Sequence, residues 1–219
     1  MGAPFRRLLE QDMEALETFA DWAKHSPDRM DELLSWTGTR AGNVRMEFRG
    51  ELYVSRALRN PIMRGCPVCL REDASRATGP AYGAMVMRGD WQLREAMLCV
   101  RHRHLLVPLW QATAPRDRFD IGARLREIEA EILSRAFDRA FRNPSTYDLW
   151  LDRRLKDGAD DTWLSDHPVY VVTIICRLLG QALLRGEGRE ECSVSGSAHS
   201  VGFDAVMAGE DAVRATLDQ

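Results

Sequence analysis

Lysine is almost missing from this sequence: of 30 basic residues only Lys24 and Lys156 are lysine, and the rest are arginine. Long apolar runs are missing too. The longest, Pro168–Cys176, is cut off by Arg177 and is too short to cross a bilayer, so no membrane partner is expected. The charged opening Met1–Arg7 leads into no apolar h-region, so a secretory signal is not expected and a cytoplasmic location is. Cysteines number five, and an odd count in such a compartment argues against a disulfide framework. The remaining composition, 45% apolar and 29% charged over 219 residues, is that of one globular core or a core with a small appended module. It excludes wholesale disorder and a collagen-like repeat.

The net charge of −3 says little about partners, but its distribution says more. Residues 40–104 hold twelve arginines against six acids, a local +6 that leaves −9 for the rest. A basic middle between acidic arms fits a phosphate-facing surface. The arginine bias of the whole chain, as GC-rich coding produces, accounts for part of it.

Periodicity divides the chain. Phe5, Leu8, Leu9, Met13, Leu16 and Phe19 predict an amphipathic helix over 5–24, and Ser26-Pro27-Asp28 restarts a second over about 27–36. Such a pair fits either the opening of a helix-turn-helix or, more commonly, plain helical packing. Val44, Met46 and Phe48 alternate with charged residues and predict a hairpin over 42–54 with its turn at Gly50-Glu51. Ala84–Met87 and Gln92–Leu98 read as short strands around an Arg88–Trp91 turn. Helices are expected from Asp120 to about Asn143, over 145–156 and, buried, over 168–185. A loop then covers 186–200, and a last helix 203–217. The fold class expected is mainly α with a small β-knuckle, in three parts: 1–40 a helical pair, 41–110 the knuckle module and 111–219 a helical region.

The chemistry sits in two doublets. Cys66-Pro67-Val68-Cys69 is followed after 29 residues by Cys99-Val100-Arg101-His102. Zinc takes four thiolate or imidazole ligands in a tetrahedron, and each doublet supplies two from a single turn. Cys66, Cys69, Cys99 and His102 therefore read as a closed Cys₃His site for a structural Zn²⁺ that contributes folding energy. His104 lies two residues beyond His102 and competes for the fourth position, although the spacing favours His102 and leaves His104 as a capping or packing residue. Rival chemistries fit less well. A redox Cys-x-x-Cys leaves the second doublet unexplained. A zinc deaminase needs His-x-Glu, which none of the five histidines provides. Four protein ligands leave no open position for a hydrolytic water, and nothing marks one cysteine as a nucleophile activated by a base. Cys176 reads as a core residue and Cys192 as a free thiol in a loop. Asp160-Asp161 reads as a helix N-cap cluster rather than a catalytic pair.

Together these residues resemble the TniQ family, whose members help transposons choose insertion targets. The resemblance is carried by Cys66-Pro67-Val68-Cys69-Leu70 with Glu72-Asp73, then Arg88, Asp90-Trp91, Leu98-Cys99-x-x-His102, Leu105-Leu106 and Pro108-Leu109. Phe48-Arg49-Gly50-Glu51 and Asp160–Leu164 agree with a bacterial subgroup. Its strong part covers about 44–110, with weaker agreement to about 185. The resemblance implies a metal-binding, DNA-associated adaptor of a mobile element, with no catalysis of its own. Such an adaptor recruits a transposition ATPase or transposase to DNA, or to a guide complex already on it, for DNA recombination. Arg45, Arg49, Arg56, Arg59 and Arg64 are the phosphate contacts expected from the basic segment. The alternative is a protein–protein docking module with a structural zinc and no direct DNA contact.

Overall fold

A computed structural model describes residues 5–186 and 195–217. About 55% of the chain is helical, with three small sheets. The first predicted helix is two: α1 (Phe5–Leu9) and α2 (Met13–Ala23). Gln11 takes a left-handed φ of 56°, and the Asp12 carboxylate accepts from Ala15 N, so a new N-cap competes with helix continuation. α3 (Pro27–Ser35) starts on Ser26 as expected.

The predicted hairpin gains a third strand. β1 (Thr39–Ala41), β2 (Arg45–Phe48) and β3 (Glu51–Val54) form an antiparallel sheet with Met46, Phe48 and Tyr53 buried. Its tight turn is Arg49-Gly50, one residue earlier than predicted, and both residues have positive φ, 54° and 74°. A single turn, α4 (Ser55–Leu58), leads to β4 (Ile62–Gly65) and α5 (Pro67–Ala74).

The strands predicted over 84–87 and 92–97 do not form. Their amide donors go elsewhere: Val86 N to the Asp73 carboxylate and Arg94 N to Ala57 O. Only β5 (Leu98–Cys99) remains, paired with β6 (His104–Leu105), before β7 (Val107–Gln111) pairs antiparallel with β4.

The C-terminal half is helical: α6 (Pro115–Phe119), α7 (Ile121–Glu127), α8 (Glu129–Leu133), α9 (Thr146–Asp157), α10 (Val169–Gly186), α11 (Ser195–Met207) and α12 (Glu210–Leu217). The helix expected from 120 to 143 thus breaks at Ile128 and ends at Leu133. α11 occupies Ser195–Ser200, where a loop was expected, and Gly209 (φ 105°) divides the last predicted helix. Cys192 lies outside the described residues. α10 is apolar and, at 18 residues, long enough to cross a bilayer, longer than the run counted from sequence. Here it is the central core helix, burying Val169, Val172, Cys176 and Leu179.

Two contacts organise that half, one against the sheet and one between its own helices. The β2–β3 turn reaches across to α9 and α10. Arg49 stacks 4.4 Å over Trp36 and donates to Leu155 O (2.7 Å) and Lys156 O, the last free carbonyls of α9. Glu51 accepts from Val169 N at the start of α10 and pairs with buried Arg154 at 2.8 Å. Arg154 also binds Asp160 (2.6 Å) and the carbonyls of Leu164 and His167. Asp160 is therefore a buried counter-ion, whereas Asp161 pairs with exposed Arg153. Burial works against the ionised Asp160 carboxyl, but Thr162, Trp150 and Arg154 outweigh it and hold its pKa below the ordinary value. Its stabilisation is present above the unfolded value of about 3.9 and is lost as pH falls through the lower folded one.

The second contact is α10 on α11. A Cβ on Gly180 would overlap Ala198 O, and one on Gly202 would overlap Cys176 O. The backbones touch, and only glycine permits it. Gly202→Ala is therefore expected to lower stability by about 3 kcal/mol, the upper end of overpacking costs. Gly122→Ala in α7, where a Cβ meets nothing within 4 Å, should be neutral or raise it by about 0.5 kcal/mol. Urea midpoints of the two variants measure the contrast.

Candidate metal centre

Cys66 is the last residue before α5 and serves as its N-cap; Cys69 lies one turn inside. The doublet therefore occupies a strand-to-helix junction, with the thiol side chains at the positive end of a short helix. Cys99 ends β5, and its ladder partner is His104, so the intervening Val100–Arg103 turn carries His102. Arg103, at φ 52°, closes that turn.

The two turns converge. The donor atoms of Cys66, Cys69, Cys99 and His102 all lie within 4.8 Å of one another. Cys69 Sγ is 3.7 Å from Cys99 Sγ, and His102 Nδ1 is 3.6, 3.1 and 3.7 Å from the sulfurs of Cys66, Cys69 and Cys99. A tetrahedron with metal–sulfur bonds of about 2.3 Å and metal–nitrogen bonds of about 2.0–2.1 Å has edges of about 3.8 and 3.6 Å. The donor set fits a metal ion in both chemistry and size.

Charge leads to the same conclusion. Hydrogen bonds from the Cys66 and Cys69 thiols pull Cys99 down to about 2, while contacts with Cys66 and Cys99, together with burial, push Cys69 far above the ordinary thiol value. Three sulfurs this close share one negative charge readily and resist a second. A divalent cation reverses that preference by stabilising all three thiolates.

Adjacent acids on α5 have separate tasks. Glu72 Oε1 is 2.8 Å from His102 Nε2, fixing the ring with Nδ1 toward the sulfurs, and its other oxygen pairs with Arg101 at 2.7 Å. The His102 hydrogen bond holds the Glu72 carboxyl below the ordinary range. Asp73 faces inward, pairing with Arg88 and Arg76 and accepting from Val86 N. This one buried carboxylate organises the irregular segment between the doublets. Trp91 completes the support by packing where Gly65 leaves no room for a side chain.

His104 is not a ligand. It is 1% exposed, its Nε2 accepts from Arg139 N (2.9 Å), and its Nδ1 is 2.6 Å from Leu105 O. Those bonds require the Nδ1–H tautomer and leave no lone pair for an ion.

Two of the five arginines expected at phosphate are corrected. Arg64 is buried, donating to Leu93 O (2.9 Å) and Arg94 O (3.0 Å), so it ties β4 to the chain that enters β5. Arg49 is spent on the α9 carbonyls, Ser35 and Glu32. Arg45, Arg56 and Arg59 are exposed. Sequence reasoning did not assign the metal-supporting task of Glu72; its place three residues after Cys69, on the same helical face, was the available signal.

Metal binding should weaken on Cys69→Ser to the point of loss, and on Glu72→Gln by about 10- to 100-fold, the usual cost of removing a ligand's hydrogen-bond partner. A Co²⁺ titration followed by thiolate charge-transfer absorption reads both. Acidification should release the ion, because thiolates must take up protons as it leaves.

Comparison with curated proteins and with solved structures gave no match. The TniQ family model matches residues 4–106. That span starts earlier than the resemblance read from sequence, taking in α1–α3, and it includes all four clustered donors and the Glu72 and Asp73 contacts. Residues 4–106 of the chain are thus similar to a TniQ domain, as the resemblance implied.

Proposed function

We propose that the protein is a zinc-stabilised adaptor in transposition target-site selection. It binds target DNA, or a protein complex already on it, and presents that location to a transposition ATPase or transposase. The observation that carries this reading is the convergence of Cys66, Cys69, Cys99 and His102 inside a TniQ domain, whose family works in transposition. Zinc suits the set: three sulfurs and one imidazole in a closed tetrahedral shell are its usual structural ligands. When bound, the ion supplies cross-linking energy rather than chemistry, since four protein ligands leave no position for a substrate. Glu72 orients His102, Asp73 holds the connecting segment, and Arg64 fixes the approach to β5. The protein's contribution to transposition is recognition, carried out from the cytoplasm, and strand cutting and joining belong to a partner.

Arg45, Arg56 and Arg59 support direct DNA contact as exposed cations placed around the β2–β3 sheet and α4. One observation favours the docking alternative. A cavity of about 500 Å³ between α3 and the Val86–Gln92 segment is lined by Leu33, Trp36, Val86 and Phe119 together with Arg29 and Arg118. It offers a partner protein an apolar floor with a cationic rim. The same protein can use both faces.

Titration with duplex DNA at rising salt tests the contact. Binding at low salt should fall steeply as salt rises, and replacing Arg45, Arg56 and Arg59 by alanine should flatten the log–log slope by up to about 2.7, or 0.9 per phosphate contact. Absence of binding at low salt, with the zinc site loaded, would leave protein docking as the function.

A further inference from the structure

The outer edge of the metal centre has an unusual surface. Phe141 is 73% exposed, the most exposed of the described large apolar side chains. It is nonetheless held firmly: its backbone bridges that of His104, its ring meets the His104 ring edge-on at 6.2 Å, and neighbouring Arg142 N donates to Arg103 O at 2.8 Å. His104 is itself buried and anchored by Arg139 N. The ring is thus fixed to the Cys99–His104 turn, two residues from a metal ligand.

Arginines flank it along the backbone: Arg103 precedes His104, Arg139 N donates to the His104 ring, and Arg142 N donates to Arg103 O. Arg103 is exposed and makes no ion pair among the described residues. Arg139 is exposed, and among the described residues its guanidinium reaches the carbonyls of Ala136 and Asp138 and no carboxylate. Arg101 is 60% exposed and shares a single carboxylate, Glu72, with His102. Nearby Asp138 is already committed to Arg71 through two bonds, of 2.7 and 2.8 Å.

A single rigid aromatic ring among free guanidinium groups is too small an apolar area to form the core of a protein interface. It suits one nucleobase: a ring stacks on a base of any identity, and guanidinium groups take the phosphates on either side. We infer that Phe141, Arg103 and Arg139 form a ledge that binds an unpaired stretch of DNA, with a base stacked on Phe141. The inference rests on the DNA-contact reading above and deepens it. It places recognition of opened strand at the zinc-bound turn, separate from the duplex-facing Arg45, Arg56 and Arg59. The metal gives the ledge its rigidity, because the turn that carries Arg103 also carries His102.

Fluorescence anisotropy of the zinc-loaded protein with a labelled single-stranded oligonucleotide, and with a fully paired duplex of the same sequence, tests the ledge. Phe141→Ala should weaken single-strand binding about ten-fold, in the range of one lost stacking contact, and leave duplex binding within two-fold. Arg103→Ala and Arg139→Ala should each flatten the single-strand salt slope by about 0.7. Phe141→Trp should preserve binding, which a merely structural role would not predict for an exposed ring, and retained zinc content confirms that each variant is folded. Single-strand affinity unchanged in Phe141→Ala and both arginine variants overturns the ledge while sparing the adaptor reading. Equal losses on duplex and single strand overturn it as a site for unpaired DNA. Failure of the unaltered protein to bind any DNA overturns both the ledge and the DNA-contact reading it rests on, and an acidic protein partner lost on the same substitutions would reassign the surface.

Discussion

Four donor atoms gathered at one point join the two ends of a segment that has little regular secondary structure of its own. Between the doublets the backbone runs from α5 to β5 with only two short 3₁₀ turns, and β5 and β6 are two residues each. Hairpins that short do not persist in water without help. With a cation bound, the sulfurs and imidazole would form a cross-link between distant positions, as a disulfide does elsewhere, but one made of ionic and coordinate bonds. Glu72, Asp73 and Arg64 then act in sequence outward from that point: on the ligand ring, on the connecting segment and on the strand that enters the turn.

The centre is not isolated from the helical half. Arg71 of α5 grips Asp138 and Ile132 O, and the β2–β3 turn caps α9 through Arg49 and α10 through Glu51. Most of the buried hydrophobic side chains among the described residues form one cluster running from Met46 to Val206. The segments 41–110 and 111–219 thus share a core.

The sequence was most informative where the signal is local. The helix expected over 145–156 is α9, with Trp150, Leu151 and Leu155 buried, and the structure adds a full capping box between Ser145 and Asp148. The ligand set followed from two doublets whose residue types serve one chemistry. What stayed hidden depends on long-range partners. Arg64 and Arg49 look like any other arginine in a basic segment, yet one is buried against Leu93 O and the other caps a helix more than a hundred residues away. The segments 84–87 and 92–97 read as short strands on either side of a turn, but Asp73 and Ala57 captured the amide donors of Val86 and Arg94. The close approach of α10 and α11 depends on glycines whose value is visible only once the opposite backbone is in place.

X-ray absorption at the zinc edge, on protein purified from zinc-containing medium, tests the central claim most directly. The account predicts one zinc per chain with three sulfur neighbours at about 2.3 Å and one nitrogen at about 2.0–2.1 Å. Protein that is folded and free of stoichiometric metal, or a metal bound mainly through oxygen, would contradict it.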